Sequence, residues 1–158
     1  MRKTLLLTLT ALLMFTSFSC KKDSDDNTIL PATSGFSAKV DGTTWTATIF
    51  LALRSTTAND IEITSTSGVA SEQMDLIIKG SGTGTYPIGV NNVGAAYIGG
   101  KTFTSVLSLV PAGTIVITKY DESAKLISGT FFFDAADQLG VVYHVTGGTF
   151  TNVPLTIE

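Results

Sequence analysis

Short alternations of apolar and polar residues, cut at close intervals by glycine, aspartate and proline, run through residues 35–158 and commit that region to strands. In Phe36-Ser37-Ala38-Lys39-Val40 the apolar side chains share one face, with Ser37 and Lys39 on the other. Asp41-Gly42-Thr43-Thr44 follows as a turn signal, with Gly42 able to take positive φ. Through residues 45–53, Trp45, Ala47, Ile49, Leu51 and Leu53 fall on one face against Thr46, Thr48, Phe50 and Ala52. These two segments predict a first hairpin.

The pattern continues with different punctuation. Residues 61–63 alternate, residues 74–79 read as a strand, and Gly80-Ser81-Gly82-Thr83-Gly84 reads as a hairpin loop ahead of Tyr86. Tyr97-Ile98 runs into Gly99-Gly100, a strand is expected over residues 102–109, and Pro111-Ala112-Gly113 ends it before another at residues 114–120. Asp121-Glu122-Ser123-Ala124 then turns the chain into residues 125–134, which should bury Ile127, Phe131 and Phe133, with Gly129 marking a bulge or a close backbone approach. Two last strands, residues 141–146 and 149–153, are expected to meet at Gly147-Gly148.

About ten short strands with no helical period predict an all-β domain of sandwich or barrel type. The continuous apolar runs at residues 49–53 and 131–133 favour an antiparallel β-sandwich, with a closed lipocalin-like barrel as the alternative. Phe50, Val106, Val116 and Phe132 occupy outward positions and imply strands covered on both faces. No repeat with a period of about 20 to 50 residues is present.

Upstream, Met1-Arg2-Lys3 precedes an apolar run at residues 4–18, the layout of a secretory signal. That run falls short of the about 20 residues a transmembrane helix needs. It ends in Ser17-Phe18-Ser19-Cys20, and Cys20 is the single cysteine of the chain. Cleavage before Cys20 resembles the bacterial lipoprotein signal, in which the thiol is acylated and begins the mature chain. Ser17 and Phe18 depart from the residues that signal prefers, while Ser19 conforms. The resemblance implies lipid attachment at Cys20, and two or more acyl chains there would anchor the chain stably. An odd cysteine in an exported protein can also be a free thiol or an intermolecular disulfide. A position between an export signal and a polar tether offers that reading neither a core nor a pairing partner.

Residues 1–19 are therefore expected to form a lipoprotein signal peptide, residues 20–34 an acylated cysteine with a flexible acidic tether, and residues 35–158 a single domain. The tether, from Lys21-Lys22-Asp23-Ser24-Asp25-Asp26 onward, cannot bury enough surface to fold. Its lysine-then-acid run resembles the signal that exports some Bacteroidota lipoproteins to the outer face of the outer membrane, with the periplasmic face as the alternative. Loss of Arg2 and Lys3 with the signal would leave eight basic against thirteen acidic side chains, a formal charge of −5. No basic stripe is left to neutralise phosphates, so nucleic acid is not an expected partner, and acyl chains rather than the domain would make the membrane contact.

Few residues suggest chemistry. His144 is the only histidine, it alternates against Val141, Tyr143 and Val145 and so should face solvent, and no G-x-S-x-G elbow accompanies any serine. One histidine cannot supply the usual zinc ligands, and Asp23-x-Asp25-Asp26 lacks the spacing and glycine of a calcium loop. Asp121 with Glu122, and Asp134 with Asp137, lie in turns, where aspartate ordinarily bonds the local backbone. The glycine-rich loop at residues 80–84 lacks the Lys-Ser/Thr ending of a phosphate loop. Trp45 shares its face with Ala47 and Ile49 and is read as core, although an aromatic on a sheet can stack on a sugar. Tyr97, beside Gly99-Gly100, is the tyrosine expected to be exposed, ahead of Tyr86 and Tyr143.

Four blocks resemble a family of small uncharacterised Bacteroidota lipoproteins: Phe36-x-Ala38-x-Val40-Asp41-Gly42-x-x-Trp45, Gly113-x-Ile115-x-Ile117-Thr118-x-Tyr120-Asp121, Ile127-Ser128-Gly129-Thr130-Phe131-x-Phe133 and Gly148-Thr149-Phe150-Thr151-Asn152-Val153-Pro154. The resemblance implies lineage and location and brings no activity with it. The expectation is a lipid-anchored cell-envelope lipoprotein serving as a non-catalytic binding or accessory module, without cofactor or metal. Its partner would be a glycan, a small apolar ligand or an envelope protein. A lipocalin-like carrier of a small apolar ligand, and a carboxylate-dependent glycan hydrolase in which two of Asp75, Asp121, Asp134 and Asp137 converge, are the alternatives.

Overall fold

Eleven strands carry the chain in the computed structural model, which describes residues 33–68, 72–108 and 112–158. They are β1 (Gly35–Val40), β2 (Thr43–Thr46), β3 (Ile49–Ser55), β4 (Asp60–Thr66), β5 (Gln73–Lys79), β6 (Gly84–Pro87), β7 (Val93–Ile98), β8 (Lys101–Thr104), β9 (Gly113–Asp121), β10 (Leu126–Ala136) and β11 (Val142–Ile157). A short 3-10 turn, Ser105–Leu107, follows β8. Cys20, the expected signal peptide and most of the expected tether lie outside the described residues.

The domain is all-β, as expected. Its pairings resolve into two layers: a six-stranded sheet in the order β2-β1-β11-β10-β9-β6, and a five-stranded sheet in the order β3-β4-β5-β7-β8. Two narrow corners join them. At one, the end of β11 runs parallel to β3 for three residue pairs, Leu155↔Ala52 to Ile157↔Arg54. At the other, β10 meets β8 through Ala136↔Thr104. All other pairings are antiparallel, and links this short at both corners make a sandwich rather than a continuous barrel.

The core fills the space between the layers. Phe36, Phe131, Phe133, Ile117, Ile127 and Phe150 face inward from the six-stranded sheet, and Ile61, Ile63, Met74, Leu76, Ile78 and Phe103 from the other. Phe36 and Phe131 have ring centroids 5.2 Å apart, and Phe103 stacks on Tyr143 across the layers at 4.5 Å. The Phe133 ring lies so close over Gly94 that a Cβ there would stand 2.5 Å from it. Gly129 combines both properties expected of it: register shifts fall beside it, and a Cβ would stand 2.1 Å from the Val116 carbonyl oxygen.

Residues 45–53 do not form one strand. The Ala47 amide donates to the Phe36 carbonyl in one layer, and the next amide, Thr48, donates to Thr66 in the other. The chain changes sheet there and its parity reverses. Trp45 and Ala47 stay buried, yet Ile49 and Leu51 are 66% and 49% exposed, Leu53 is half-buried, and Phe50, Ala52 and Arg54 turn inward. Arg54 is accommodated by donating to Asn59 Oδ1 at 3.0 Å and to the Ser55 carbonyl.

Four smaller expectations are also corrected. The strand placed at residues 102–109 is the four-residue β8 followed by the 3-10 turn, with residue 109 outside the described residues. Residues 142–153 lie in one strand, because β10 keeps pairing with β11 on both sides of Gly147-Gly148. Gly147 takes φ +58° as a bulge, and the Phe131 ring occupies the space a Cβ on Gly148 would need. The loop at residues 80–83 links β5 to β6 across the layers and wraps Tyr86, whose hydroxyl donates to the Gly82 carbonyl at 3.0 Å. Finally, Val106 is exposed and Phe132 is 52% exposed, so those outward positions are not covered, while Phe50 is buried by the parity change.

Candidate functional site

Two hairpins of like construction flank the open side of the sandwich. The turn between β1 and β2 has positive φ at both central residues, Asp41 (+48°) and Gly42 (+83°), and the turn between β7 and β8 has it at Gly99 (+59°) and Gly100 (+77°). Those angles define the two-residue turn that matches strand twist. Between the hairpins lies an open cleft of about 440 Å³, walled by Val40, Trp45, Ile98, Phe103 and Tyr143, with Asp41, Glu72 and Lys101 contributing charge.

Glu72 spans the gap. Its Oε2 accepts the Trp45 indole N–H at 3.0 Å and the Ser67 hydroxyl at 3.4 Å, while its Oε1 accepts the Gly99 amide at 3.0 Å. One carboxylate therefore ties an edge of each sheet to the loop ahead of β5. Asp41 fastens its turn to β11, donating its amide to the His144 carbonyl at 3.0 Å and accepting the His144 amide on Oδ1 at 2.9 Å.

Lys101 closes the site on the β8 side. Its Nζ lies 5.4 Å from the centroid of the Tyr143 ring, and contact with Tyr143, helped by the nearby Asp137 and Asp41 carboxylates, holds its pKa above the usual lysine value. No carboxylate stands within 4.0 Å of that amine among the described residues. The Tyr143 hydroxyl donates to Asp137 Oδ2 at 3.2 Å, and Asp137 Oδ1 accepts the Leu139 and Val141 amides, each at 2.9 Å. Desolvation pushes the Asp137 carboxyl up, and these hydrogen bonds outweigh it, so its pKa lies below the ordinary carboxylate range.

The residues singled out in the sequence are dispersed. His144 is exposed on the outer face of the six-stranded sheet, its Nδ1 2.7 Å from Asp134 Oδ1, and that bond raises its pKa. Asp121 accepts the Ala124 amide at 2.8 Å in the turn at one end of β10, whereas Asp134 and Asp137 lie at the other end. Asp75 is on β5, outside the core; its Oδ2 accepts from Gln73 at 2.7 Å, and its Oδ1 has no hydrogen-bond partner among the described residues. Desolvation raises the Asp75 pKa. No group of three or more His, Cys, Asp or Glu side chains that could hold a metal occurs among the described residues. Trp45 is 6% exposed, a core residue as expected, and Tyr97, at 42%, is the exposed tyrosine among the described residues. Glu72 was not legible beforehand: it is a single acid in a loop, and both of its long-range partners are 27 residues away.

Fold and site together define a small β-sandwich domain with a ligand-sized, aromatic-walled cleft at one open side. The family is specific: the model for a domain of unknown function, DUF6252, matches residues 32–154, and the chain belongs to that family. No curated protein and no solved structure matches it.

Proposed function

We propose that the chain is a lipid-anchored lipoprotein of the bacterial cell envelope, acylated at Cys20, whose domain is a non-catalytic binding or accessory module with the cleft as its receptor site. The observation that carries this reading is positional. The segment ending in Cys20 leads into Gly35 at one end of β1, where Thr33 meets Asn152, and the cleft opens at Val40 at the other end. At about 3.3 Å per residue, β1 holds the cleft about 17 Å from where the tether joins. A module tethered at one end would thus present its concave surface away from the anchoring membrane, with the outer face of the outer membrane as the location the tether's composition favours.

Binding is favoured over catalysis because the acids have structural partners or stand apart. Glu72 latches the hairpins, Asp137 organises the loop after β10, and Asp134 holds His144. The open form of the cleft favours a receptor surface over an enclosed carrier. Trp45 is the only tryptophan and lines the cleft, so its emission reports on occupancy. Titration of the detergent-extracted protein with 4-phenylbutyrate, an apolar ring bearing a carboxylate, should shift Trp45 emission saturably, and Lys101→Glu should abolish the shift. An emission unchanged by the probe, or an equal response in Lys101→Glu, would remove the cleft from the proposal.

A further inference from the structure

One wall of the cleft is an open strand edge. The two-residue turn at Asp41-Gly42 is closed by bonding between Val40 and Thr43, which makes them a hydrogen-bonded pair of the β1–β2 ladder. Bonded and non-bonded pairs alternate in an antiparallel ladder, so Lys39↔Thr44 and Ser37↔Thr46 are non-bonded pairs. The N–H and C=O groups of Thr44 and Thr46 therefore point away from β1. The next step of the alternation is observed: the Ala47 amide bonds the Phe36 carbonyl. The same count applied to β8 turns Thr104 outward, and Thr104 is the residue that pairs with Ala136 of β10.

Among the described residues β2 pairs with β1 alone, which leaves four backbone groups without a strand partner along its outer edge, and the two on Thr44 lie at the cleft. Free edges are ordinarily blunted by proline or charge. The outer edge of β6 carries Pro87 and β8 carries Lys101, but β2 reads Thr-Thr-Trp-Thr and has neither. Across from it stands Lys101, an amine without an ion-pair partner among the described residues.

We propose that the cleft receives an extended peptide, which adds as a strand to the free edge of β2. Alternate side chains of the peptide pass between Trp45, Ile98 and Phe103, and a peptide carboxylate reaches Lys101. Backbone bonds to Thr44 and Thr46 supply affinity, and the apolar walls and the lysine supply selectivity. This rests on the cleft being the receptor site proposed above, and it names the ligand class.

The test is selection of phage-displayed linear decapeptides on the detergent-extracted protein, followed by affinity measurement on variants. Thr44→Pro removes one outward N–H and leaves the β1 ladder intact, a substitution that edge strands tolerate. Selected peptides should lose at least tenfold in affinity on Thr44→Pro and on Lys101→Glu, while Thr44→Pro keeps the wild-type melting temperature. Peptides that bind wild type and Thr44→Pro equally would overturn strand addition, as would failure to enrich any peptide. Either result obtained with a normal phenylbutyrate response would leave the cleft standing as a site for another ligand. A dimer formed through β2 and lost in Thr44→Pro would also overturn it, by assigning the edge to a second copy. Should Thr44→Pro fail to fold, amide exchange in the wild type decides: bound peptide should slow Thr44 and Thr46 at least tenfold, and unchanged exchange refutes the proposal.

Discussion

Gly129→Ala should be among the most damaging single-methyl additions this domain can receive. Gly129 has no left-handed backbone to protect, so the effect is steric alone. A Cβ would stand 2.1 Å from the Val116 carbonyl oxygen and 2.4 Å from Cζ of Phe150, against 3.4–4 Å for ordinary contact. Neither neighbour yields easily: one is backbone of β9 within its ladder to β10, and the other is a fully buried ring. Overpacking costs about 1–3 kcal/mol and more where backbone must move, so a loss of about 3 kcal/mol is expected. At roughly 3–5 °C per kcal/mol for a domain of this length, the melting temperature should fall by about 10–15 °C. Circular dichroism melts and urea titrations would measure it, with the midpoint lowered and the slope unchanged. Gly42→Ala is the control: the site has open space but φ +83°, and about 1 kcal/mol of backbone strain is expected. A Gly129→Ala protein within about 0.5 kcal/mol of wild type, or one less affected than Gly42→Ala, would refute the close approach of β9, β10 and β11.

Trp45→Phe keeps most of the buried ring and removes the indole bond to Glu72, so urea titration should show a loss of about 1–3 kcal/mol, and a double-mutant cycle with Glu72→Gln should show coupling; additive losses would contradict the latch. The bond to Asp134 raises the His144 pKa in the folded state, so its stabilising effect is fully present below the unfolded value of about 6.5 and is lost as pH rises through the folded value. An NMR titration of the imidazole should find a midpoint above about 6.5 that returns toward it in Asp134→Asn. Asp75 behaves in the opposite sense. Desolvation raises its folded pKa above the unfolded one, so the ionised acid costs stability at neutral pH and that cost fades as pH falls through the folded value. Asp75→Asn should accordingly be more stable than wild type at pH 7 and lose that advantage in acid, as read from paired urea titrations.

Local pattern was sufficient for the inward faces of several strands that stay in one sheet. Phe36 and Ala38, Ile61 and Ile63, Met74, Leu76 and Ile78, and Ile127, Phe131 and Phe133 are buried at the positions alternation assigns. It failed where the decisive partner was distant. Nothing in Ala47-Thr48 marks a change of sheet, because both residues suit a strand and the following Ile-Phe-Leu-Ala-Leu is apolar on either parity. The paired glycines at residues 99–100 and 147–148 look alike, yet the first pair turns a hairpin and the second a bulge. The difference lies in β10, which continues alongside β11 past Gly147-Gly148 and so holds that strand straight through. The cleft was invisible for the same reason: its walls come from hairpins far apart in sequence, and Glu72 matters only because both arrive beside it.

The central claim, that this is an acylated envelope lipoprotein, is tested most directly by intact mass. The full-length chain would be expressed in a Bacteroidota host, extracted from membranes, and weighed beside a Cys20→Ser control. An acylated lipoprotein should give a chain that begins at Cys20 and carries the mass of two or three acyl chains, with both the acylation and the membrane association lost in the control. A membrane-free chain of unmodified mass, or one cleaved at another position with a free Cys20 thiol, would contradict it.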